Sequence, residues 1–498
     1  MPKELPASPS LEHLKKQAKT LLRDVAAKKP AAVRKFSALK LKAAPKLSDA
    51  QQLVAHEYGF ESWTKLKEHV DAETATMNEA VGLTRKALRD DDAAEFRRVV
   101  KRFPAFKARI NEPAGDFGSP LINHVKSRAM LDAFLEAGAD INARSKWEPG
   151  SFGLLDSASP EVAAHAIERG AIVTVHAAAR LGMLKELKEL IAADPQLVHA
   201  RGGDGQMPLH FASTIELAGY LLDHGADIDA RDLDHESTAA QWMLRERPEV
   251  ARYLVQRGCK TDILMGAALG DLQLVEKLLA ADPECIRMRV SDEYFPLIGM
   301  GVGSGGTIYQ WQLGWHVSAV QVAKGLGHQA IFDLLMQRSP AEEKLLNACW
   351  LHDEPMVTSL LTRNPDLAEK LPPAGRRNVA HAARNNDAIA ARLMVTARLP
   401  VNVFSQHHAS ALHWAAFHGN AELAQLLMKH HAAIEDTNNE YKSTPLNWAM
   451  YGSVNGWHAE QGDYHGTVSI LLKAGAKLPK QLSGTEAVKE VLRKHGVK

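Results

Sequence analysis

The 498 residues include only three cysteines, Cys259, Cys285 and Cys349, far apart and without a CxxC or CxxH pairing. That excludes a disulfide framework and a cysteine-based zinc module, and it fits a reducing compartment. A surplus of one charge is also missing: 60 Lys+Arg stand against 59 Asp+Glu, a formal net charge of +1. Non-specific nucleic-acid binding needs an excess of phosphate-neutralising cations, so a general polyanion binder is not expected. No hydrophobic run approaches the roughly 18 residues of a membrane span, and the opening Met1-Pro2-Lys3-Glu4-Leu5-Pro6 lacks an apolar signal core. Both point to a cytoplasmic protein without a membrane partner. Aromatics are scarce, at 6%, yet six of the nine tryptophans (Trp311, Trp315, Trp350, Trp414, Trp448, Trp457) fall between residues 311 and 457.

What the chain does have is repetition. Residues 411–420 read Ala-Leu-His-Trp-Ala-Ala-Phe-His-Gly-Asn, 444–449 read Thr-Pro-Leu-Asn-Trp-Ala, and 207–212 read Met-Pro-Leu-His-Phe-Ala. A second signature, Gly138-Ala139-Asp140-Ile141-Asn142-Ala143-Arg144, returns as Gly225-Ala226-Asp227-Ile228-Asp229-Ala230-Arg231 and as Gly475-Ala476. Thr444 is placed to cap a helix, with Pro445 in its first turn, where a missing N–H costs nothing. The paired alanines (Ala178-Ala179, Ala382-Ala383, Ala415-Ala416) allow two helices to approach closely. Gly138, Gly225 and Gly475 follow apolar runs and suit the left-handed position that ends a helix.

The pattern resembles the ankyrin repeat, whose T-P-L-H-x-A signature recurs at about 33 residues in a unit of two helices and a β-turn finger. The resemblance covers about residues 80–478. It implies an all-α fold: an ankyrin-type helical solenoid of about twelve partly degenerate repeats with a small N-terminal helical domain. It also makes His210 and His413 structural hydrogen-bonders between neighbouring repeats. A longer period overlies the short one, since Pro120-Leu121, Pro208-Leu209 and Pro296-Leu297 stand 88 residues apart. Blocks of two to three units duplicated together would explain it.

Residues 1–72 read differently, as four short helices: one from Leu11 to Val25, one around Ala31 to Leu41, one opening at Ser48 and one from Ser62 to Val70. This head has more Lys and Arg than Asp and Glu. A helix-turn-helix on DNA is one reading of that excess; a polar cap, which such arrays need for solubility, is the preferred one. Residues 481–498 read as a capping helix at the other end.

Two insertions break the register, near 297–317 and 452–462. The first is rich in glycine and carries Tyr309, Trp311, Trp315 and His316; the second carries Trp457 and His458. A phosphate cradle at Gly301-Val302-Gly303 and Gly305-Gly306 is rejected, because no strand precedes it and no GK[ST] follows. Carried over from the ankyrin pattern, Arg180, Leu181, Trp350, Leu351, Arg384, Asn385, Phe417, His418 and Tyr451 line the concave face. Helix layers about 10 Å apart would set Trp350, Arg384, Phe417/His418 and Tyr451 in a strip about 30 Å long. Aromatics and Arg are the residue types that dominate binding hot spots.

The preferred function is therefore a binding protein that recognises a protein segment or a small ligand on this strip. Tyr309, Trp311, Trp315, His316 and Trp457 would contribute from the insertions. The alternative is a cofactor-independent hydrolase or lyase, with His458 as acid/base, Asp463 orienting it, Tyr451 or Tyr464 polarising a substrate oxygen, and His418 nearby. No cofactor and no metal are expected. The histidine pairs 407/408, 413/418 and 430/431 have no carboxylate or cysteine at ligand spacing. Glu342-Glu343 reads as a solvated pair at a helix start, where the helix dipole favours anions.

Overall fold

The regular structure of the chain is helical, and among the described residues no strand forms, only isolated bridges such as Arg289–Ser318 and Phe404–Ser410. The computed structural model describes residues 3–6, 9–37, 39, 44–299 and 305–497. Met1-Pro2 and the Gly301-Val302-Gly303 stretch lie outside them, as do Lys40 and Leu41 at the expected end of the second helix. The chain divides into two compact units, Met1–Glu186 and Leu187–Lys498.

In the first unit, helices Leu11–Ala26, Pro30–Ser37 and Leu47–Glu57 and the start of Trp63–Asp90 close on a small core of Leu14, Ala18, Phe36, Leu53, Val54, Leu66 and Val70. The helix expected to stop at Val70 continues to Asp90. No proline interrupts residues 71–90, and Ala80, Thr84, Ala87 and Leu88 keep one buried stripe at helical spacing. The boundary expected between 72 and 80 thus falls inside one helix.

Beyond it, helices Ala93–Arg102, Arg128–Glu136 and Pro160–Glu168 alternate with single 3₁₀ turns, Leu121–His124 and Leu154–Asp156, where full inner helices were expected. Spacing explains the shortening. Six residues separate Pro120 from Ser127, which already caps the next helix through the N–H of Met130, and Asp156 is followed within three residues by the cap Ser159.

The second unit pairs inner helices with outer ones. Inner helices Ile263–Leu269 and Ala319–Gly325 pack on each other, as do Asn378–Arg384, Ala411–Phe417 and Pro445–Asn455 in succession. The Ser318, Ser410 and Thr444 hydroxyls accept from the backbone N–H three residues on, so each start of an inner helix is capped by its own sequence. Ala382, Ala383, Ala415 and Ala416 are wholly buried, which is what close stacking of inner helices requires. The turn glycines adopt the expected left-handed conformation, with φ of 93° at Gly138, 96° at Gly225 and 99° at Gly475.

His413 ties two repeats together. Its Nε2–H donates to Asp436 O and Ser443 O, both at 3.0 Å, while Nδ1 accepts from Ser410 Oγ at 2.7 Å. His210 does the same in its repeat, donating from Nε2 to Ser237 O at 3.2 Å. Burial pulls both imidazoles below their ordinary pKa, so they serve as neutral connectors. At the C-terminal end, helix Glu486–Lys494 lays Val488, Val491 and Leu492 on the core.

Glu342 and Glu343 differ from expectation. Both sit at the start of helix Ala341–Trp350, but Glu343 is only 3% exposed. Its Oε1 pairs with Arg287 at 3.1 Å and its Oε2 faces Arg289 at 3.6 Å, while Glu342 pairs with Arg287 at 2.8 Å. A segment about 55 residues upstream supplies both arginines, so Glu343 is a buried charge within an ion-pair network that Glu342 and Arg287 extend toward solvent.

Candidate functional site

The finger before Pro445–Asn455 and the C-terminal ends of the last inner helices enclose a cleft of about 410 Å³ walled by Trp414, Phe417, Tyr441, Trp448, Tyr451 and Trp457. The rings meet largely edge to face. Trp414 and Trp448 are 5.2 Å apart at 81°, Phe417 and Trp457 5.3 Å at 73°, and Tyr441 and Trp448 5.8 Å at 67°. Trp414 and Trp448 form the buried floor. Tyr441 and Tyr451 are both 61% exposed and Trp457 is 52% exposed, so these three form the rim. Asn447, Tyr451 and Asn455 follow one another at i, i+4 and i+8, which puts two amides and a phenol on one face of the helix. His407 and Ser443 complete the polar lining.

Arg384 joins the two insertions. Its guanidinium lies 4.6 Å from the ring of Trp315, from the first insertion, and 4.9 Å from that of Trp457, from the second. Nε donates to Gln406 Oε1 at 3.0 Å, and the neighbouring Asn385 holds Trp315 by donating to its carbonyl at 2.8 Å. Burial pulls the Arg384 guanidinium down to about 10, against the opposing field of Asp292. Glycines bring the second insertion onto the backbone of the preceding repeat. At Gly452 and Gly462 a Cβ would collide with the carbonyls of Phe417 and His418 respectively. Two cation–π contacts of this kind contribute about 1–3 kcal/mol together. Arg384→Met should therefore raise amide hydrogen exchange in 305–317 and 456–463 by roughly tenfold or more. Unchanged exchange in both segments would show that they hold their places without it.

The structure gathers Arg384, Trp315, Trp457, Phe417, His418 and Tyr451 into this region, but not as the exposed strip expected. Trp350 is 6% exposed and Phe417 and His418 are 7% exposed. Trp350 donates from Nε1 to Asn378 Oδ1 at 2.8 Å, and His418 Nε2–H donates to Arg384 O at 2.9 Å. Trp315 and His316 are buried too. Tyr309 is fully buried elsewhere, donating to Asp262 Oδ2 at 2.8 Å, and Trp311 is 70% exposed but does not line the cleft.

The acid/base set is not assembled in the expected form. Asp463 Oδ1 accepts from the Gly466 N–H at 2.8 Å as the cap of helix Tyr464–Lys473. Tyr464 is buried and donates to Phe417 O at 2.9 Å. The carboxylate expected to orient His458 and the phenol expected to polarise a substrate thus serve the fold, while His458 is exposed.

Sequence reasoning missed Tyr441, His407 and Asn447, because it followed only the ends of inner helices. An exposed tyrosine in the polar finger one residue beyond Glu440 was the available signal. It also missed Asp204, Asp234 and His235, the one group among the described residues whose potential metal-ligand atoms lie within 4.8 Å of one another.

Residues 175–265 and 379–481 match the family of ankyrin repeats (three copies), so the chain contains ankyrin repeats. No curated protein matches it. Among the described residues no helix is long and apolar enough to cross a membrane.

Proposed function

We propose that the chain is an ankyrin-repeat binding protein that holds a segment of a protein partner in the aromatic cleft of its C-terminal repeats. The observation that carries this reading is the rim of Tyr441, Tyr451 and Trp457, three largely exposed rings around a floor of two more tryptophans. Exposed rings cost solubility, and their common use is to anchor an apolar or aromatic side chain of a partner. The amides of Asn447 and Asn455 flank Tyr451, and each offers a donor and an acceptor suited to a peptide unit. Ankyrin repeats generally mediate protein–protein interaction, which supports the same reading as a matter of family.

The test is selection of a phage-displayed peptide library on the full chain, against the Tyr441→Ala/Tyr451→Ala/Trp457→Ala variant. Tyr441 and Tyr451 are largely exposed, while Trp457 also covers Phe417, so folding of the variant is checked by circular dichroism alongside a Tyr441→Ala/Tyr451→Ala variant that leaves Trp457 in place. Peptides enriched on the wild type should carry an aromatic or proline anchor, and should bind the variant at least a hundredfold more weakly, as loss of two or more hot-spot contacts implies. Equal binding to both proteins would remove the cleft as the site.

A further inference from the structure

We propose that Arg289, His316, Asn347 and His381 form an internal site for a small oxyanion, a carboxylate or a phosphate group, separate from the aromatic cleft. The backbone brings the four together from four parts of the chain. Val290 N–H donates to Val317 O at 3.1 Å and His316 N–H to Val290 O at 2.7 Å, which sets Arg289 and His316 on adjoining strands of loop. Asn347 comes from helix Ala341–Trp350 and His381 from Asn378–Arg384. The two imidazoles stack face to face, with ring centroids 3.6 Å apart and planes 4° from parallel.

What distinguishes this cluster is its unmet hydrogen-bonding capacity. His316 Nδ1 and Nε2, His381 Nδ1, Asn347 Nδ2 and the adjacent Trp315 Nε1 are all buried without a hydrogen-bond partner, as is one acceptor, Glu343 Oε2, which faces Arg289 at 3.6 Å. Each of the four residues that carry these nitrogens is more than nine-tenths buried. Asn378, beside His316, has Nδ2 committed to Gly375 O at 2.8 Å, while Oδ1 accepts from Trp350 Nε1 at 2.8 Å and its second lone pair favours a proton on His316. Buried polar groups in folded proteins are almost always satisfied, so a concentration of them at one place points to an occupant.

The chemistry of that occupant follows from the groups themselves. An amide NH₂ and an indole N–H only donate, and each neutral imidazole offers one donor. Arg289 adds a guanidinium whose contacts are all long: 3.3 Å to Gln321 Oε1, 3.3 Å to Asn347 Oδ1 and 3.6 Å to Glu343 Oε2. Charge-assisted bonds settle near 2.7–2.9 Å, so this cation is loosely held by its neighbours. The cations facing the imidazoles are Arg289, Arg377 and Arg384; Arg377 is paired with Glu293, Arg384 is opposed by Asp292, and Glu343, which faces Arg289, is shared with Arg287. Water could meet the donors one by one. An oxyanion supplies several acceptors from one centre and would give the loosely held Arg289 a charge-assisted partner.

The experiment uses the full chain in chloride buffer of constant ionic strength, titrated with inorganic phosphate and, separately, with acetate. The readout is the imidazole ¹⁵N resonances of the histidines together with the melting temperature. Saturable shifts of the His316 and His381 resonances with one or both probes, and a melting temperature that rises over the same concentrations, are expected. The stronger of the two probes identifies the source. Asn347→Leu and His381→Leu, each checked for folding by circular dichroism, should weaken the binding at least tenfold. Unmoved imidazole resonances with both probes in the wild-type protein would overturn the site and leave water as its occupant, independently of how either variant folds.

Discussion

Lowering the pH from 7.5 to 5 is expected to remove several kcal/mol of stability from the second unit through its buried histidines. His210, His316, His381 and His413 are buried there, and burial pulls each pKa down because the imidazolium would lose its hydration. For His381 the value falls to about 3, with Arg377, Arg289 and Arg384 adding to the effect. The sign follows from proton counting. Below about 6.5 the unfolded chain takes up a proton at each of these positions that the folded chain refuses, so stability falls as pH falls. The loss begins at the unfolded value and stops only at the folded one. Each such imidazole costs up to about 1.4 kcal/mol per pH unit inside that window. Between pH 6.5 and 5, His381 alone is expected to cost about 2 kcal/mol, and a domain has about 5–15 kcal/mol in all. Urea-unfolding midpoints measured across this range should drop steeply in the wild type and less steeply in His381→Phe, which keeps a ring and removes the titration. A flat midpoint from pH 7 to 5.5 would mean that these imidazoles are not held neutral.

Much of the scaffold was legible because its signals are local. A capping hydroxyl, a proline in the first turn, an alanine pair and a left-handed glycine act within one repeat, and Thr444, Pro445, Ala415-Ala416 and Gly475 do what their spacing implies. His413 was legible for the same reason, its partners coming from the adjoining finger. The site was less so, because its residues are placed by segments distant in sequence. Trp350 and Phe417 end inner helices as expected, but Asn378, Tyr464 and the rings of Trp448 and Trp457 close over them. Exposure at a helix end therefore depends on what the next repeat and the insertions contribute. The register counts put insertions near 297–317 and 452–462, but could not say that Trp315 and Trp457 meet on Arg384. The shortened inner helices at Leu121–His124 and Leu154–Asp156 were hidden for another reason: the Pro120-Leu121 start resembles a full repeat, and at both places only the distance to the next cap shows that the helix has no room.

Glu343→Ala is expected to destabilise the second unit by about 3–5 kcal/mol, far more than the same change at its neighbour Glu342. The difference lies in what each removal leaves behind. Without Glu342, Arg287 still has Glu284 at 2.8 Å and Glu343 at 3.1 Å, and Arg287 and Glu342 both reach some solvent. That loss should stay near 1 kcal/mol. Without Glu343, Arg289 keeps two neutral contacts and loses the one carboxylate facing it, while remaining 4% exposed. Burial already lowers the pKa of Arg289 against the opposing field of Glu343, so the guanidinium depends on that charge. The desolvation penalty of an unpaired buried cation then falls on the fold in full. If this account holds, the loss belongs to the exposed charge and not to missing packing. Glu343→Leu/Arg289→Met, which replaces both charges with apolar groups of similar length, should recover most of it, and a double-mutant cycle would show the coupling as a large non-additive term. Denaturation of the four proteins at pH 7.5 measures this directly. Additive losses at the two positions would mean that Arg289 finds its compensation elsewhere in the cluster.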